Sequence, residues 1–107
     1  MTTFDDRQRG FESKYALDQE QEFKATARRN KLLGLWAAER MGLQGDSRDE
    51  YARAVVKSDF EQPGDDDVLR KVYGDLKSAG DSATEGDVRM KMDELLAQAR
   101  EQVRNGE

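Results

Sequence analysis

The chain has 107 residues, 36% apolar and 38% charged, with a net charge of −5 and neither cysteine nor histidine. That length fits one domain with a modest core, and an acidic body disfavours duplex nucleic acid, whose affinity rests on neutralising phosphates. The two missing residue types exclude disulfides, thiolate zinc sites, cysteine nucleophiles and every His-dependent triad, so neither catalysis nor a metal centre is expected.

The acidic start lacks an apolar h-region, so no signal peptide is expected. No run approaches the roughly 18 apolar residues of a membrane span. The chain therefore reads as cytoplasmic, without membrane insertion. One proline and few β-branched residues favour helices over strands. The expected fold is all-α: a four-helix bundle preceded by a flexible, conditionally helical N-terminal arm. Charge is uneven along it. Residues 1–31 hold seven basic and six acidic side chains, and the remainder holds eleven and seventeen.

The arm comes first, over about residues 1–19. Thr3-Phe4-Asp5-Asp6 resembles a capping box with Asp in place of Glu, which allows a helix to begin that early. Gly10 within such a helix costs about 1 kcal/mol relative to alanine, and a short helix with that defect is marginal without a partner. At about 100° per residue, Phe4, Phe11 and Tyr15 form one narrow stripe on an otherwise charged surface. Three aromatics in a row hold too little apolar area for a core but enough to dock in a groove.

The first bundle helix is expected over about 20–41. It joins the basic cluster Arg28, Arg29 and Lys31 to the densest apolar run, which holds Leu32, Leu33, Leu35 and Trp36. Gly42 followed by Leu43 reads as a Schellman stop. The basic cluster reads as a solvated helix face, or else as a contact with an acidic partner or a nucleotide phosphate. Ser47-Arg48-Asp49-Glu50 reads as the capping box of a helix over about 47–60, with Tyr51, Ala52, Val55 and Val56 on one side and Phe60 near its end.

Gln62-Pro63-Gly64 breaks the chain before Asp65, Asp66 and Asp67, which open a third helix over about 65–79. Carboxylates there are favoured by the macrodipole by about 0.3–1 kcal/mol each. The aspartates lack the alternating spacing of a calcium loop, so capping is preferred to metal binding. Val68, Leu69, Val72, Tyr73 and Leu76 form that helix's buried face, and Gly80 ends it. Ser82 and Glu85 are expected to cap the fourth helix, over about 83–104, with Val88, Met92, Leu95, Leu96, Ala99 and Val103 inward and Met90 outward.

The segments FDDRQRGFESKYALDQE and FKATARRNKLLGLWAAERMGL resemble the ATPase inhibitor subunit zeta of the alphaproteobacterial F-type ATP synthase. RRNKLLGLWAA is the strongest part, and EYARAVVKSDFEQPGDDDVLRKV adds support. The resemblance implies an inhibitor of ATP hydrolysis that is peripherally associated with the membrane-bound synthase. Its N-terminal segment would become helical as it inserts between alpha and beta subunits of the catalytic head, near the gamma shaft, and would block rotation.

Carried onto this chain, that segment is residues 2–19. The partner-binding residues it implies are Thr2, Thr3, Phe4, Asp5, Asp6 and Arg7, followed by Phe11, Lys14, Tyr15 and Leu17, with Arg28, Arg29 and Lys31 as secondary contacts. The family commonly has alanine where this chain has Gly10 and phenylalanine where it has Tyr15. No cofactor is called for, weak ATP or ADP binding being the most the bundle allows, and the free protein is expected to be a monomer. The alternative reading is a helical adaptor or nucleotide-binding bundle that uses the basic segment around Arg28 and Lys31.

Overall fold

The computed structural model describes residues 17–107. Among the described residues there are four helices and no strand: α1 Gln19–Arg40, α2 Asp46–Glu61, α3 Asp65–Ser78 and α4 Glu85–Arg104. The expected arm and its capping box at Thr3 fall outside the described residues, apart from Leu17, Asp18 and Gln19. The chain is an all-α four-helix bundle in which α1 packs against each of the other three.

α1 supplies its own start. The Asp18 carboxylate accepts the Gln21 N–H at 2.7 Å, and the Gln21 side-chain oxygen accepts the Asp18 N–H at 3.3 Å. This reciprocal box satisfies two of the backbone donors that a helix N-terminus leaves open. The other end closes as expected. Gly42, at φ +80°, lets Leu43 N–H return to the Ala38 carbonyl at 2.9 Å and its own N–H reach Glu39 at 3.1 Å. The same pair of bonds stops α3 at Gly80.

Two caps differ from expectation. α2 begins at Asp46 with Gly45 before it, so Ser47 already lies inside the first turn and makes no cap. Negative charge from Asp46 and Asp49 supports that end instead. α4 begins at Glu85, capped by Thr84 rather than by Ser82: Thr84 Oγ accepts the Asp87 N–H at 3.0 Å and the Asp87 carboxylate accepts the Thr84 N–H at 2.9 Å. The later cap puts Ala83 and Val88 on either side of the box, both buried in the core, as in a hydrophobic staple.

The core is a column of aliphatic side chains from all four helices: Leu33, Val55, Val72, Leu76, Val88 and Met92 are almost fully buried. Leu32, Trp36, Tyr51 and Tyr73 pack against it from the rim. The expected faces of α3 and α4 are the buried ones, and Met90 points outward.

Several ionisable groups have partners that shift their titration. The Asp87 carboxyl is held below its ordinary value of 3.8 chiefly by the Thr84 N–H, Asp81 by the Ala83 N–H, and Asp66 by Arg89. Tyr51 is pushed up from 10.0 by burial and then by Asp75, to which it donates a hydrogen bond of 2.8 Å. A carboxyl depressed in the folded state contributes stability that is present above its unfolded value and lost as pH falls through the folded one. A raised phenol contributes stability that is lost as pH rises past its unfolded value. The midpoint of urea unfolding should therefore be level near neutrality, fall below the ordinary carboxylate value of 3.8, and fall again above 10.0. Asp87→Asn should make the acid limb shallower; an unchanged acid limb in that variant would contradict the assignment.

Candidate functional site

Nine of the residues implicated from sequence, Thr2, Thr3, Phe4, Asp5, Asp6, Arg7, Phe11, Lys14 and Tyr15, lie outside the described residues. Leu17 is half-buried, one residue before the cap that opens α1. The basic cluster is not one surface. Arg28 donates to the Gln102 side-chain oxygen at 3.4 Å and to the backbone carbonyl of Glu107, tying α1 to the end of α4.

Arg29 is 1% exposed and departs from the solvated face expected of it. Its guanidinium donates to Asp65 at the head of α3 and to the side chain of Asn30, each at 2.9 Å. Asn30 in turn donates to Asp59 at 2.8 Å, and Asp59 accepts the Gly64 N–H at 3.3 Å. These bonds hold the turn between α2 and α3 against α1. Only Lys31 of the cluster is exposed, and it makes no ion pair among the described residues. The three aspartates that open α3 pair with three different arginines: Asp65 with Arg29, Asp66 with Arg89 and Asp67 with Arg70. Among the described residues no group of acidic side chains is gathered around a metal position.

A surface that sequence reasoning did not single out runs along the outside of α1 and α2. Phe23 and Phe60 are 58% and 59% exposed and meet edge to face, with ring centroids 5.4 Å apart. Beneath them is an apolar pocket of about 200 Å³ floored by Ala27, Val56 and Pro63. It opens on one side into a groove of about 600 Å³ past Lys24, Arg28, Lys31 and Val103. On the other it meets a groove of about 550 Å³ along Leu35, Ala52, Arg53 and Lys57. Phe60 lies near the end of α2, where Tyr51 and Val55 turn inward, and nothing in its own spacing separates it from them. Phe23, just beyond the arm, was the better signal, because the apolar face of that segment rotates toward it and Ala27.

The described residues form a small helical bundle whose first helix is self-capped, and an aromatic-bearing segment precedes it in the sequence. The chain belongs to the ATPase inhibitor subunit zeta family, whose family model matches residues 1–102. Its role is accordingly that of an ATPase inhibitor subunit. Among solved structures it resembles one determined by NMR in solution, at 49% identity and a TM-score of 0.69, over 80% of this chain and 98% of the other. No curated protein matches it. No helix among the described residues is long and apolar enough to cross a membrane.

Proposed function

We propose that the chain inhibits ATP hydrolysis by the catalytic head of an F-type ATP synthase through residues 2–19, inserted as a helix at an interface of the alpha, beta and gamma subunits. The observation that carries this reading is the family match from residue 1 to residue 102, which takes in the arm as well as the bundle. The reciprocal cap at Asp18 and Gln21 supports it, because two of the backbone donors at the start of α1 are satisfied without residues 1–16. In the complex Phe4, Phe11 and Tyr15 form one buried face, and Arg7, Arg9 and Lys14 pair with acidic host residues. Helix formation on binding costs ordering entropy, increased by Gly10, and the aromatics offset it. The alternative, a helical adaptor or nucleotide-binding bundle using the basic segment from Arg28 to Lys31, is weakened by the engagement of Arg29 with Asp65.

ATP hydrolysis by the catalytic head, titrated with three versions of the protein, tests the proposal. The full chain should inhibit. A version lacking residues 1–16, which keeps the Asp18 cap, should not. Alanine at Phe4, Phe11 and Tyr15 together should raise the concentration for half-inhibition at least about 100-fold, since a buried aromatic anchor carries about 2 kcal/mol or more and the three losses do not add in full. Full potency in the triple variant would refute the aromatic face.

A further inference from the structure

We propose that the groove along the outside of α1 and α2 is a second docking surface. Its occupant is an acidic segment of the ATPase head that carries apolar side chains, and the contact is separate from the arm's. This rests on the functional reading above for the identity of the partner. Two side-chain stripes build the surface. On α1, Lys24, Lys31 and Leu35 recur at spacings of seven and four, and on α2, Arg53, Val56, Lys57 and Phe60 recur at three and four, so each set shares one helical face. The stripes meet over a floor of Ala27, Val56 and Leu35. Phe23 and Phe60 stand at one end of it, both more than half exposed and packed edge to face, whereas Met90 on α4 is exposed without an aromatic partner of this kind. A contiguous apolar strip with a charged rim is the form a partner site takes, whereas a single exposed side chain is ordinary.

The charge selects the occupant. The chain as a whole carries −5, yet the charged side chains lining the 550 Å³ groove are Lys31, Arg53 and Lys57 against Asp49 alone. Lys31 and Arg53 make no ion pair among the described residues. Lys57 and Lys24 reach only exposed carboxylates one turn away, at 3.8 Å from Glu61 and 3.5 Å from Glu20. Such pairs are weak and exchange readily for a better partner. The chain's own residues 1–16 do not match this surface, since Asp5, Asp6 and Glu12 are balanced by Arg7, Arg9 and Lys14. A second copy docked groove to groove would bring the same cations against one another. An acidic partner with aliphatic side chains satisfies both the rim and the floor.

The test uses the full chain and the purified catalytic head. Lys31→Glu with Arg53→Glu should raise the dissociation constant about tenfold at low salt and flatten its dependence on salt, because exposed charge contributes through screened attraction. Phe60→Ala should weaken binding by a similar factor at any salt concentration. Both variants should still reach full inhibition when saturating, since the arm is intact. The control is Arg70→Glu with Lys77→Glu on exposed α3, which should bind as the parent does. Unchanged affinity in the groove variants, or an equal loss in the α3 control, would overturn the proposal. So would a parent that sediments as a dimer and becomes monomeric in the groove variants, which would assign the surface to a second copy. The two readings fail separately: the arm's failure appears as full potency in the aromatic triple variant, and the groove's as parental affinity in the groove variants.

Discussion

Gly34→Ala should destabilise the bundle by about 1–2 kcal/mol, although alanine is the better helix former. A Cβ at position 34 would lie 2.6 Å from the Ala52 Cα, 3.2 Å from its Cβ and 3.3 Å from a Val55 methyl. The first contact is with backbone, so relief requires α1 and α2 to move apart along the seam that carries Leu33, Ala37 and Val55. Overpacking of this kind costs about 1–3 kcal/mol, against a helix-propensity gain of about 1 kcal/mol. Loss of seam packing puts the balance on the unfavourable side. The same substitution at Gly74 meets nothing within 4 Å, in the exposed interior of α3. There propensity acts alone, and Gly74→Ala should stabilise by about 0.5–1 kcal/mol. Thermal unfolding followed by circular dichroism should separate the two: Tm lower by about 10 °C for the first and higher by about 5 °C for the second. Ala52→Gly added to Gly34→Ala should rescue only part of the loss, since it removes the contact at 3.2 Å and leaves the one at 2.6 Å. Parental stability in Gly34→Ala would mean that α1 and α2 pack less closely than described.

That pair of glycines marks the boundary of what the sequence makes legible. The stripes of α3 and α4 are local, repeating every three or four residues, and each names its own buried face. Gly42 and Gly80 are equally local, because a left-handed residue followed by a return bond needs only the end of its own helix. The cap of α4 was ambiguous in one dimension, since Ser82 with Glu85 and Thr84 with Asp87 both fit the box spacing. The choice rests on Asp81, which accepts the Ala83 N–H at 3.0 Å and pairs with Arg40 at 2.9 Å, a contact from 41 residues away. Gly34 and Arg29 carry no mark of their roles, because Ala52 and Asp65 belong to other elements. Within the candidate site, the aromatic stripe of the arm was visible as a pattern. The groove was not, because it is made by juxtaposing α1 with α2, each of whose exposed stripes alone reads as an ordinary solvated face.

Arg29→Ala should cost about 3 kcal/mol, and Arg29→Met less. The side chain is 1% exposed, so truncation leaves a cavity of the kind that costs about 2–5 kcal/mol for large buried groups and removes two hydrogen bonds. Its partner is different: the Asp65 side chain is 57% exposed and sits in the first turn of α3, where water and the helix N-terminus stabilise it without the arginine. Losing the cation strands no buried anion but leaves the buried Asn30 oxygen without its donor, so methionine, which fills most of the same volume, recovers the packing and not the hydrogen bond. The reverse change is worse for its size. Asp65→Ala keeps the guanidinium buried with only the neutral Asn30 oxygen for a partner, and should cost about 2 kcal/mol despite removing a small, exposed side chain. Urea unfolding of the three variants tests this order. If Arg29→Met were as unstable as Arg29→Ala, the charge pair and not the packing would be the larger contribution. The same variants bear on function. With Arg29 inside the bundle, Arg29→Met should inhibit ATP hydrolysis as the parent does. A stable Arg29→Met that had lost inhibition would instead make Arg29 a contact with the enzyme, reached through an opening of the α2–α3 turn that Asn30, Asp59 and Gly64 hold shut.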